Sequence, residues 1–166
     1  MDDSKQQIVR AEIGVLPISF LLMHFFLTAS CPGGYTMFRG ICYKFFTTAK
    51  TFSDATATCG EDGGTLAMPR DADTNAFLLL LYNVNDGYKN FRYDHWIGLH
   101  RQRSEDSFEW MDGSALGDYN SWAPRARGPG SSGDCVSYST YLKGCWLNFG
   151  CGYKNYFICQ VAPARG

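Results

Sequence analysis

Residues 133–160 read GDCVSYSTYLKGCWLNFGCGYKNYFICQ. Cys135 and Cys151 stand sixteen apart and bracket Trp146, and Cys159 closes the β-like run Tyr156-Phe157-Ile158-Cys159. Alternating apolar residues between Gly, Asn and Ser are the pattern of short strands and turns. Upstream, residues 123–134 read APRARGPGSSGD, too rich in Gly, Pro and Ser for a regular element. A loop of that length commonly carries function. Val136–Tyr138, Trp96–Leu99 and Phe108–Trp110 are predicted as further short strands.

Toward the amino terminus the pattern changes. Residues 31–46, CPGGYTMFRGICYKFF, form a predicted hairpin whose runs Tyr35–Phe38 and Ile41–Phe46 flank Arg39-Gly40. Residues 48–59 read as a helix, with Phe52, Ala55 and Cys59 on one face, Thr47 or Thr48 as its cap and Gly60 at its end. Residues 71–82 read as a second helix, capped by Asp71 or Asp73, with a buried stripe of Phe77, Leu80 and Leu81 widened by Leu78 and Leu79.

At 166 residues, 45% of them apolar, the chain suits one domain. The net charge is −1, and no global field points to nucleic acid. Seven cysteines in so short a chain indicate an oxidising compartment. A zinc site is disfavoured, since no Cys-x-x-Cys pair occurs and His95 and His100 are the only histidines after residue 30. The apolar run 13–29, IGVLPISFLLMHFFLTA, follows Lys5 and Arg10. It reads as a cleaved signal peptide ending near Ala29-Ser30, or as a type II membrane anchor. Either places residues 31–162 outside the cytoplasm as one domain, with 163–166 as a tail.

The motifs CYKFF (42–46), WIGL (96–99), FEWMDG (108–113), NSW (120–122), GDCV (133–136), WLNFGC (146–151) and YFICQ (156–160) occur in one order and spacing. In that order the chain resembles the C-type lectin domain, in its long form with an extra amino-terminal disulfide. The resemblance covers residues 31–162. It implies an α+β fold: two helices, two small antiparallel sheets and a long irregular loop, closed by disulfides. It also implies the pairs Cys31–Cys42, Cys59–Cys159 and Cys135–Cys151. Cys145 is left over, either as a free thiol, as a bridge to another chain, or as a competitor of Cys151 for Cys135. Trp96, Trp110, Trp122 and Trp146 are expected to be core and loop anchors, not a sugar-stacking platform.

The resemblance also says where calcium would bind, and those positions have changed. In sugar-binding members one ion is held by a Glu-Pro-Asn type triplet, an acidic residue before the loop cysteine, and an Asn-Asp pair after the last tryptophan. The corresponding residues are Ala126-Arg127-Gly128, Gly133 and Leu147-Asn148. Of five side-chain ligands only Asn148 bears oxygen, and one neutral amide does not offset dehydration of a divalent cation. At the auxiliary calcium site Glu105 and Asp134 remain, but Arg101 replaces the first aspartate and Pro129 another acid.

The expected function is therefore a non-enzymatic recognition module for a carbohydrate or protein ligand, with no calcium or other cofactor. Arg101, Arg103, Arg125 and Arg127, with Asn148 beside them and Lys143 as a further candidate, suggest an anionic ligand, because guanidinium groups pair with sulfate, carboxylate and phosphate. The alternatives are a calcium-dependent lectin and a structural, mineral- or ice-interacting protein on the same fold. No nucleophile motif is present, and adjacent Asp94 and His95 would face opposite sides of a strand.

Overall fold

The computed structural model describes residues 29–85, 94–101, 107–124, 126 and 133–164. The apolar run up to residue 28 and most of the long loop lie outside the described residues. The chain starts with a hairpin of β1 (Thr36–Phe38) and β2 (Ile41–Lys50). Arg39 and Gly40 take φ of 48° and 79° at its tip, the paired left-handed conformation that a two-residue turn demands.

β2 continues four residues past the expected Phe46, through Thr47–Lys50, and Lys50 pairs with Asn155. Helix α1 therefore begins later than its periodicity suggests, at Phe52, and runs to Glu61. Its cap is Thr51, not Thr47 or Thr48: Thr51 Oγ1 accepts from the Asp54 amide at 3.2 Å. Gly60 lies inside the helix, and Asp62 caps its end. The expected face is retained, with Phe52, Ala55 and Cys59 buried.

After the short strand β3 (Thr65–Leu66) comes α2 (Ala72–Asn85). Asp71 caps it, accepting from the amide and hydroxyl of Thr74 at 2.8 and 2.9 Å. The buried face is Thr74, Asn75, Leu78, Leu81 and Tyr82. It is rotated from the expected stripe: Leu80 is 61% exposed, whereas Leu78 is fully buried. In a run of four leucines the period is ambiguous, and Thr74 and Asn75 fix the true face.

Five more strands follow: β4 (His95–Arg101), β5 (Phe108–Trp110), β6 (Cys135–Ser139), β7 (Cys145–Phe149) and β8 (Asn155–Val161). The order across the sheet is β1-β2-β8-β4-β6-β7, with β3 on β8 and β5 on β4. All pairings are antiparallel except β4 with β8, where His95 faces Tyr156 and Trp96 faces Phe157. The two expected antiparallel sheets thus meet along this short parallel seam.

Disulfides join Cys31–Cys42, Cys59–Cys159 and Cys135–Cys151, and Cys145 is a partly exposed free thiol. The second spans 100 residues, a closure that stabilises by about 4.7 kcal/mol in the chain-entropy model. It ties α1 to β8, and the chain is drawn together again where the amide of Ser30 donates to Ala164 O and that of Ala164 to Ser30 O.

Trp96, Trp110 and Trp146 are at most 1% exposed. Trp146 meets Trp110 and Trp122 edge to face at 5.7 Å, the geometry aromatic quadrupoles favour. They are core residues.

Two buried polar residues differ sharply. Asn75 Nδ2 donates to Gly144 O at 3.0 Å, its Oδ1 accepts from Trp146 Nε1 at 2.9 Å, and its backbone carbonyl accepts from Tyr138 Oη at 2.8 Å. His95 is 0% exposed, ringed by Phe45, Tyr82 and Tyr156, and neither ring nitrogen has a hydrogen-bond partner among the described residues. Burial pushes its pKa down to about 3, and the nearby Tyr138 backbone offsets this only in part.

Candidate functional site

The pole of the domain where β4 ends and β6 begins is built around Gly133. This residue is buried, and an added Cβ would lie 2.4 Å from the Phe149 amide nitrogen. No side chain fits there without moving the backbone of β7, so the position at which the resemblance leads one to expect an acidic ligand is closed on steric grounds. The Gly133 carbonyl accepts two hydrogen bonds: from Arg101 Nη2 at 3.2 Å and from Asn148 Nδ2 at 3.1 Å.

Arg101 is fixed from several sides. Its Nε lies 3.4 Å from Asp134 Oδ1, its amide donates to Asp134 O at 2.7 Å, and its guanidinium sits 5.3 Å from the Phe108 ring centre. Only 20% of its side chain is exposed. A desolvated guanidinium with a carboxylate, a carbonyl and an aromatic face is well satisfied. Arg101 therefore ties the end of β4 to the start of β6, and Asn148 holds β7 to the same carbonyl. A further pair approaches across β4 and β5, where His100 Nε2 lies 3.9 Å from Glu109 Oε1.

Of the five residues expected to bind ligand, Arg101 and Asn148 come together, on one carbonyl. Arg103, Arg125 and Arg127 lie outside the described residues, as do Glu105, Gly128 and Pro129. Lys143 does not join Arg101 and Asn148. It is exposed in the turn between β6 and β7, at the Ser139–Cys145 end of that hairpin, whereas the pole is at the Cys135–Phe149 end. The two are separated by roughly 14 Å of strand.

The fit to calcium can be judged from the donors. A cation at the auxiliary position would meet the Arg101 guanidinium, which holds the Asp134 carboxylate. At the principal position the Asn148 amide nitrogen is turned to Gly133 O. Among the described residues, no group of three or more His, Cys, Asp or Glu side chains is placed to hold a metal. The described residues at the pole do not suit a hard divalent ion. As for catalysis, His95 is sealed from solvent and uncharged near neutral pH.

A second concavity lies between the β1–β2 hairpin and the start of α2, and the motifs that supply Tyr43, Asp112 and Gln160 do not mark it as a site. Its polar residues Arg39, Arg70 and Asp112 converge only through the tertiary fold.

With this geometry in place, the likeness to known proteins is direct. Residues 48–161 match the model of the lectin C-type domain, and the chain belongs to that family. It is 33% identical over 162 residues to the C-type lectin lectoxin-Lio3 of Erythrolamprus poecilogyrus, spanning 93% of this chain and 95% of that protein. It is 34% identical over 138 residues to one polypeptide of the snaclec coagulation factor IX-binding protein of Protobothrops flavoviridis, spanning 79% of this chain and 99% of that polypeptide. Human lithostathine has the same fold, with a TM-score of 0.72 and 28% identity over 80% of this chain and 91% of that one. The family consists of non-enzymatic binding proteins, and this chain is one of them.

Proposed function

We propose that the chain is an extracellular recognition module that binds an anionic ligand, a sulfated or sialylated glycan or an acidic protein surface, without calcium. The observation that carries this reading is the Arg101–Gly133–Asn148 junction. Guanidinium and amide donors stand where the family places carboxylates, and Gly133 leaves no room for an acid to return. The junction makes Arg101 a support for the pole. The ligand contacts fall to Arg103, Arg125 and Arg127 in the adjoining loops, because guanidinium groups grip oxyanions in pairs. Three disulfides support an extracellular site of action. The acidic-protein branch has a parallel in the snaclec relative, whose name records binding to a coagulation factor.

Titration calorimetry with calcium, followed by a sulfated-glycan array with and without chelator, tests the proposal. Binding should survive chelator, weaken as salt rises, and fall in the Arg125→Ala/Arg127→Ala double variant. Calcium affinity near micromolar, or equal binding by wild type and variant, overturns it. The thiol of Cys145 is partly exposed, and a dimer formed through it would appear on non-reducing electrophoresis and vanish in the Cys145→Ser variant.

A further inference from the structure

The cleft between the β1–β2 hairpin, the segment 68–71 and the start of α2 has a volume of about 380 Å³, within the range of small-ligand sites. Its floor is apolar, made by Ile41, Met68 and the edge of Phe38. Phe38 is itself held by stacking on Phe77, with ring centres 4.3 Å apart.

Two arginine–aspartate pairs form the rim. Arg70 is paired with Asp112, donates from Nη1 to Ser114 Oγ at 2.8 Å, and lies 5.5 Å from the Trp110 ring centre. Arg39 Nη1 lies 3.6 Å from Asp71 Oδ1, and its Nη2 reaches Asp73. The carboxyls of Asp71 and Asp112 stay ionised through the neutral range. Hydrogen bonds from the Ser114 hydroxyl and amide, then Arg70, hold Asp112 down to about 2, and the bond from the Thr74 amide lowers Asp71. The Tyr43 ring and Gln160 complete the wall.

Charge selects the ligand class. Each arginine is already neutralised by an aspartate, and Asp73 adds a further negative charge, so a phosphate or sulfate finds no net attraction. A cation would have to displace an arginine. What remains is a neutral molecule whose groups both donate and accept, with one apolar face for the floor. A pyranose ring fits: each hydroxyl can accept from a guanidinium and donate to the adjacent carboxylate, and the C–H face covers Ile41 and Met68.

We infer that this cleft is a calcium-independent subsite for a neutral saccharide, separate from the loop pole. It uses none of the pole's residues and stands whether or not the anionic reading does.

The test is an array of neutral oligosaccharides probed with the full chain in chelator and high salt, conditions that suppress the loop pole. Retained binding is expected. Amide NMR titration with the strongest array hit should shift residues 38–43, 68–74 and 112–114. Asp112→Asn and Ile41→Trp, the second filling the cleft without touching the ion pairs, should each weaken binding roughly tenfold or more. Both should keep the wild-type thermal midpoint within a few degrees. Arg125→Ala/Arg127→Ala should leave this binding unchanged. The inference is overturned by no neutral glycan binding, by shifts mapping to residues 101, 133–134 and 147–148, or by full affinity in folded Ile41→Trp.

Discussion

The β6–β7 hairpin is pinned at both ends by a glycine, in different ways. At the turn, the Gly144 carbonyl accepts from Asn75 Nδ2 and Ser121 Oγ, each at 3.0 Å. At the open end, the Gly133 carbonyl accepts from Arg101 Nη2 and Asn148 Nδ2. Both glycines are too crowded for a side chain: an added Cβ would be 2.7 Å from Tyr138 Oη at Gly144 and 2.4 Å from the Phe149 amide nitrogen at Gly133. The turn end is held by neutral groups in the core. The open end is held partly by a charged residue, Arg101. One end is joined through neutral side chains alone, and the other through a guanidinium and an amide.

The comparison can be broken most forcefully at Gly133. Restoring the family's acid as Gly133→Asp should destabilise the domain by about 4 kcal/mol, since the backbone must move and a charge is buried. Chemical denaturation checks this, and calorimetry on the variant should show no gain of calcium binding.

At the other end, Asn75→Ala should cost about 3 kcal/mol, because the Trp146 N–H loses its acceptor and a small cavity opens. Gly144 O keeps the Ser121 bond, which limits the loss. A smaller value in urea titrations would mean that water replaces the amide.

His95 sharpens the contrast as a buried polar side chain with neither nitrogen bonded among the described residues. Its folded pKa, about 3, lies below the ordinary value of 6.5. Between these values the unfolded chain binds the extra proton, so stability falls as pH drops below 6.5, by about 1.4 kcal/mol per unit. At pH 5 the loss is about 2 kcal/mol. Asp94, raised by burial, works in the opposite direction, whereas Asp71 and Asp112, both lowered, add to the acid loss. Denaturation of wild type and His95→Phe across pH 4–7 isolates the histidine, and parallel curves would refute its role.

The smallest effect is expected at Arg101→Ala, about 1 kcal/mol, since Asn148 still holds Gly133 O and the Asp134 carboxylate, 38% exposed, is left in reach of water. Thermal melts at low and high salt should show the difference between variant and wild type shrinking with salt.

How far the sequence can be read follows the range of each interaction. The Arg39-Gly40 turn and the Phe52–Ala55–Cys59 face depend on neighbours a few residues away, and local pattern reveals them. The disulfide pairs need the family resemblance, because six cysteines allow fifteen pairings. Thr47–Lys50 reads locally as the start of a helix, yet its place is set by pairing Lys50 with Asn155, a hundred residues on. The face of α2 is not legible in its leucines, since Asn75 looks like a surface residue until Gly144 and Trp146 are placed against it. At the pole, Arg101 and Asn148 can be singled out by position. Their convergence on one carbonyl cannot, as it depends on how closely β7 passes Gly133.

The closure at Ser30 and Ala164 bears on how the domain would respond to mechanical load. A pull applied between these two residues peels their bridge open and then meets covalent stops. Cys31–Cys42 takes residues 32–41 out of the path of the force, and Cys59–Cys159 takes residues 60–158 out of it. About two dozen residues can then unravel, roughly 80 Å of chain. The Gly133 pole lies behind the second stop and would hold its shape under oxidising conditions, whereas the cleft between the hairpin and α2 would be parted, since Phe38 and Ile41 sit behind one stop and Met68 and Asp112 behind the other.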